Sequence, residues 1–200
     1  MVSERRTAIV VGAGIGGTAV AARLAKDGFY VRVFEKNSFS GGRLSLIHKN
    51  GHRFDQGPSL YLMPKLFEET FSDLGERIED HFDLLKCKSN YKVHFHDGDS
   101  FQLSCDLADM YRQMQKYEGT GEQTLLNFLD FLKETHIHYE RSVAVALKTN
   151  YEKWWHEFQL KYIPDLFKLH LYDTVYNRVC RFFKSEKMRK AFTFQTMYIG

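Results

Sequence analysis

The β-branched run Ile9, Val10, Val11 is separated from a second such run, 31–34, by a segment dense in alanine and leucine (Ala19, Ala21, Ala22, Leu24, Ala25). Short β-branched runs on either side of a helix-forming stretch predict strand, helix, strand, with Gly28 closing the helix. Two further strand-like runs, 44–47 and 52–54, flank the turn residues Lys49, Asn50 and Gly51. From Pro64 to Leu74 the apolar residues Leu66, Phe67, Phe71 and Leu74 share one face, with Glu68, Glu69 and Asp73 mostly on another; this predicts an amphipathic helix. Runs 91–96 and 100–103 flank Asp97-Gly98, a hairpin signal.

From Asp106 onward the period becomes helical. Asp106 is placed to cap a helix over 107–117 that Gly119 ends, and Thr120 with Gln123 reads as a capping box opening 125–139. The stretch 151–160 carries Trp154, Trp155 and Phe158. Pro164 is placed to start a last long helix from Asp165, with Leu169, Tyr172, Tyr176, Val179 and Phe183 at three- and four-residue spacings. The expected division is therefore 1–104, part of a nucleotide-binding domain with a hairpin, and 105–200, a mostly helical region. The fold class is α/β, a partial Rossmann-like domain joined to helices. A doubly wound sheet needs at least a third parallel strand, and no buried strand is evident after residue 104. The chain is expected to be the N-terminal piece of a longer protein, binding its cofactor poorly alone.

Composition narrows the function classes. A hydrophobic content of 44% suffices for a core, and a net charge of +3 is too small to announce a nucleic-acid partner. Cys87, Cys105 and Cys180 have no metal or redox spacing and suit reduced, intracellular thiols. No run of apolar residues is long enough to span a bilayer, and the complete β-α-β pattern accounts for the apolar N-terminal run better than a signal peptide does. The histidines suggest no metal: His94 and His96 share a face of the hairpin without a third ligand nearby, and His136 and His138 do not face each other on a helix.

The candidate chemistry lies in the loops of the first element. Gly12, Gly14 and Gly17 form G-x-G-x-x-G between the first strand and helix. In that context Gly12 permits the tight turn, Gly14 lets a pyrophosphate approach, Gly17 lets helix pack on strand, and the helix N-terminus faces the phosphates. Glu35 stands 23 positions after Gly12 (35 − 12), near the spacing at which a carboxylate meets a ribose hydroxyl. An acid there favours FAD or NAD over a 2′-phosphorylated ligand. Gly41, Gly42 and Arg43 then offer a flexible loop and a cation suited to phosphate oxygens, and Gly57-Pro58 marks a tight turn. Between Lys161 and Lys190 eight basic residues meet three acids, a net +5 on an aromatic-rich stretch. That pattern fits either a core-facing stripe with a solvated basic back or a surface for an anionic bilayer or a long apolar substrate.

The glycine fingerprint, the strand-end Glu35, the Gly41-Gly42-Arg43 loop and the segment from His52 to Pro58 together resemble the FAD-dependent amine-oxidase-like superfamily. They are most similar to its carotenoid branch, the phytoene desaturases of bacterial and fungal type. The resemblance implies that Gly12, Gly14, Gly17, Glu35, Gly42 and Arg43 hold the ADP half of FAD, with Gly57 and Pro58 close to the flavin. It also implies a substrate of the phytoene type, electrons passed to a quinone or oxygen, and a helical region that covers the substrate channel and lies peripherally on membranes. No catalytic residue emerges. Other flavoenzymes of the superfamily, a prenyl-binding escort module of the same fold and a plain NAD dehydrogenase are the alternative readings.

Overall fold

The structure is a computed structural model that describes residues 6–58, 61–87, 89–157 and 160–198. The chain forms two compact units, one running through Leu85 and the other starting at Lys86. The boundary thus lies before the Asp97-Gly98 hairpin, which belongs with the helices rather than with the nucleotide-binding part as a division at 104 supposes. Phe101 explains the difference: it is fully buried from the hairpin into the core of the helices.

In the first unit, β1 (Thr7–Val11) and β2 (Tyr30–Phe34) pair in parallel through α1 (Ile15–Lys26), with Val11 opposite Phe34. Gly17 sets the helix-to-strand distance. A Cβ there would lie 2.0 Å from the Gly12 carbonyl oxygen and 3.4 Å from Val10 Cγ1, so only glycine lets α1 come this close. The other face of the strand pair is open: Ile9 is 64% exposed, Val11 85% and Phe34 50%. β3 (Leu46–Lys49) and β4 (His52–Asp55) form a hairpin whose Asn50 and Gly51 both take positive φ, as a two-residue turn between twisted strands requires. α2 (Pro64–Leu74) has the predicted limits and ends at left-handed Gly75. Arg23 of α1 binds Asp73 at 3.0 Å, and Lys26 donates to the Asp73 carbonyl, tying α1 to α2.

In the second unit, β5 (Ser89–His94) and β6 (Ser100–Ser104) pair antiparallel and are followed by α3 (Leu107–Glu118) and α4 (Glu122–Ser142). Asp106 caps α3 as expected, its carboxylate accepting from the Ala108 and Asp109 N–H groups. The capping box does not form. Gly121, in extended conformation, precedes α4 with no side-chain cap, and Gln123 binds Asn127 instead. Within the stretch 151–160 the described residues include a 3-10 turn at Trp154–Glu157, and Phe158 lies outside the described residues.

The expected helix from Asp165 is broken into α5 (Ile163–Lys168) and α6 (Val175–Val179). His170 takes a left-handed φ of 49°, and Thr174 then starts a new helix by accepting from the Asn177 N–H at 3.1 Å. α7 (Glu186–Thr193) closes the core, where Phe101, Met110, Met114, Phe128, Val179 and Phe183 meet Met188 and Ala191. The Phe183 and Phe192 rings stack 4.6 Å apart. Lys116 and Lys187 clamp the hairpin tip from α3 and α7, binding Asp99 at 2.5 and 2.9 Å.

Candidate dinucleotide-binding site

The site forms where β1 turns into α1. Gly12 leaves the strand at φ 100°, a conformation natural to glycine, and its N–H donates to the Phe34 carbonyl at 2.7 Å. Gly14 then caps α1 in extended conformation without a side-chain hydrogen bond, and the first turn holds no acid. The leading N–H groups of the helix are thereby left to a ligand, at the positive end of its dipole. A Cβ at Gly12, Gly14 or Gly16 would meet nothing within 4 Å, whereas one at Gly17 collides with backbone. The fingerprint therefore contains two kinds of glycine: Gly17 serves packing, and Gly14 borders open space in front of the helix.

Glu35, directly after β2, is drawn into this turn. Its Oε2 accepts from the Ala13 N–H at 2.7 Å, and its Oε1 accepts from the Asn37 backbone and side-chain N–H groups at 3.0 and 2.9 Å. These donors, the Asn37 backbone first and Ala13 next, hold the carboxyl below the ordinary glutamate range, so it is an anion at neutral pH. A carboxylate has about four acceptor positions, which leaves room for a ribose hydroxyl.

The Gly-Gly-Arg loop comes to the same place. The Gly41 N–H donates to the Ala13 carbonyl at 2.8 Å, forming a bridge between Gly14 and Gly41. Gly42 packs so closely that a Cβ on it would stand 3.4 Å from Gly14 Cα. Arg43 follows in a 3-10 turn, exposed and with no side-chain partner among the described residues. Gly57 sits against this turn, since a Cβ there would lie 3.5 Å from the Arg43 carbonyl oxygen. Buried Ser45 fixes that approach: its hydroxyl donates to Gln56 Oε1 at 2.6 Å, and its carbonyl accepts the Gln56 N–H at 3.1 Å. Pro58 follows, exposed.

Seven of the eight predicted residues thus come together at one place, Glu35 through its carboxylate and the others through their backbone, and Pro58 adjoins the last of them. Sequence reasoning missed Ala13, Ser45 and Gln56, and named Gly41 as part of the loop without giving it a binding role. Only Gly41 had a visible signal, being the first of the paired glycines. Among the described residues no three His, Cys, Asp or Glu side chains gather into a metal site.

The parallel β-α-β unit with its glycine turn and strand-end acid is a dinucleotide-binding unit of the Rossmann type. Residues 10–74 match the family model of the NAD(P)-binding Rossmann-like domain. The chain is 60% identical over 192 residues to a phytoene desaturase of Phycomyces blakesleeanus, covering 96% of this chain and 33% of that protein. It is 48% identical to a phytoene desaturase of Cercospora nicotianae, over 99% of this chain and 32% of that one. It is 39% identical to a zeta-carotene-forming phytoene desaturase of Myxococcus xanthus, over 99% of this chain and 38% of that one. The chain is homologous to phytoene desaturases along nearly its whole length and spans about a third of theirs.

Proposed function

We propose that the protein to which these 200 residues belong is an FAD-dependent desaturase of carotenoid biosynthesis, acting on phytoene or a close polyene relative. The observation that carries this reading is the 60% identity to a phytoene desaturase over a chain whose glycine turn, acid and arginine loop converge on one dinucleotide site. In it, Gly12, Gly14 and the leading N–H groups of α1 would hold the pyrophosphate, Glu35 the ribose, and Arg43, on the loop that Gly42 brings against Gly14, would supply a cation for the phosphates. Gly57 and Pro58 would lie on the flavin side of the site. When bound, FAD supplies the acceptor for the two hydrogens removed across a saturated C–C bond, and the electrons leave to a quinone or oxygen. The residues of this chain bind and orient; none is assigned a proton-transfer role.

The helical unit is proposed to lie on a membrane from which the substrate is drawn. No helix among the described residues is long and apolar enough to cross one, so contact would be peripheral. The test is to incubate the full-length protein with phytoene in liposomes, extract the pigments and read conjugation length from the absorption spectrum. Absorption moving to longer wavelength is the expected result. Unchanged phytoene in a preparation with bound flavin would overturn the substrate assignment.

A further inference from the structure

On the second unit, α4 and the end of α5 flank an open hollow of about 320 Å³, near the lower end of the range for small-ligand sites, about 300–1,000 Å³. Asp130, Lys133 and Glu134 line it from α4, and Lys168 and His170 from the other wall. Its charge is set by which partners are already taken. Arg178 holds Glu134 with two bonds, Nε to Oε1 at 2.8 Å and Nη2 to Oε2 at 2.5 Å, so that acid is neutralised. Lys133 and Lys168 have no hydrogen-bond or ion-pair partner among the described residues; Asp130 is the unpaired acid beside them, while Asp165, which Lys168 also attracts, is already held by Arg141. His170 uses Nδ1 toward the Tyr172 hydroxyl at 3.2 Å, which leaves Nε2 for a ligand. The hollow is therefore cationic and equipped with donors, as an oxyanion requires.

The same segment presents an apolar surface. Ile163, Leu166, Phe167, Leu171 and Tyr172 are exposed, from 43% at Leu166 to 66% at Tyr172. Just before it in the chain, Lys161 lies over the Tyr162 ring and Lys153 over the Trp155 ring, setting ammonium groups on aromatic rings. Apolar side chains accompanied by lysines and interfacial aromatics match the boundary between acyl chains and anionic headgroups. A soluble apolar partner would meet the aliphatic patch but would leave the cationic hollow without a counter-charge.

We propose that the hollow of Lys133, Lys168 and His170 binds the phosphate of an anionic phospholipid while Phe167 and Leu171 enter the acyl layer beside it. This rests on the membrane reading above and makes it specific: one lipid class and one headgroup site. The test floats full-length protein with vesicles of phosphatidylcholine alone and of phosphatidylcholine mixed with phosphatidylglycerol. The expected result is preference for the anionic vesicles, reduced about twenty-fivefold in Lys133→Gln/Lys168→Gln, since each lysine near an anionic surface contributes roughly a fivefold gain and two multiply. The pair Lys49→Gln/Lys65→Gln, on the first unit, makes the same charge change and should bind like the original. Phe167→Ser/Leu171→Ser should lose affinity for both vesicle types, with its melting temperature unchanged. Equal losses from both lysine pairs, or an unaltered Phe167/Leu171 variant, would overturn the proposal. Equal binding of the original protein to both vesicle types would overturn the headgroup site alone, and flotation with neither would overturn the membrane reading as well.

Discussion

The Ala13 N–H donates to Glu35 Oε2 at 2.7 Å, so the acid that closes β2 also holds the glycine turn that leaves β1. One carboxylate therefore shapes the phosphate cradle and stands at its ribose end. Glu35→Gln keeps the size but replaces a charged acceptor with a neutral amide, and charge-assisted bonds are about twice as strong as neutral ones. In the full-length protein this change is expected to weaken flavin retention roughly tenfold, read by fluorescence of the released cofactor after gel filtration. Since the carboxyl lies below the ordinary range, retention should fall only at pH below about 4.3, as Glu35 protonates. A variant retaining flavin like the original would show that Glu35 does not bind the ribose.

Gly17 and Gly14 should separate folding from binding. Gly17→Ala places a Cβ 2.0 Å from the Gly12 carbonyl oxygen, backbone against backbone, with no flexible side chain to yield. Overpacking of this kind costs about 1–3 kcal/mol, and the melting temperature should fall with it. Gly14→Ala meets no atom within 4 Å, so the unliganded fold should melt as before while flavin content drops. Thermal melts of flavin-free protein alongside flavin-to-protein ratios test both. A Gly14→Ala protein with full flavin occupancy would place the pyrophosphate elsewhere.

Arg43 offers the complementary case of a side chain with no structural task. It is exposed and unpartnered among the described residues, although its backbone is pinned near Gly14 by the Gly41 bridge and against Gly57. Arg43→Ala should change stability by no more than about 0.5 kcal/mol, as for an ordinary surface substitution, yet lower flavin affinity. Arg43→Lys should recover only part of it, because an ammonium cannot take two phosphate oxygens in one plane. Titration of flavin-free protein with FAD reads the difference.

What the sequence made legible follows from which residues have no substitute. Gly17 could be assigned because only glycine fits that contact, and Asp106 because its side chain is the cap. The Ala13 to Glu35 bond was hidden on the alanine side, since every residue but proline has a backbone N–H. The capping box over Thr120 and Gln123 failed because glycine at 121 enters the helix instead, while Thr124 turns its hydroxyl to the Gly119 carbonyl. The break at His170 was invisible for a different reason. Val179 and Phe183 keep the spacing that a continuous helix from Leu169 would give, and all three are buried, although the backbone between them reverses handedness for one residue.

The Glu134–Arg178 pair carries the pH dependence of the helical unit. Both side chains are mostly buried, at 22% and 13% exposure, and Arg178 Nη1 is already buried without a partner among the described residues. Glu134→Gln removes the counter-charge of that guanidinium, a loss of about 3 kcal/mol at neutral pH for a pair this enclosed. The bonds from Arg178 are the main cause that holds Glu134 below the usual glutamate range, with smaller help from His170 and His138. A carboxyl lowered on folding stabilises the native state above its unfolded value, near 4.3, and that stabilisation is lost as pH falls through the folded value. The gap between original and Glu134→Gln should therefore be full at pH 7 and close below about pH 4 in urea titrations. His138 acts in the opposite range: burial pushes its imidazole down, so the native state weakens as pH drops below about 6.5. Replacing His138 with glutamine in both proteins removes that contribution and leaves the carboxylate's own profile; no gap at pH 7, or a gap that persists undiminished well below pH 4, would show that the ion pair does not stabilise the fold.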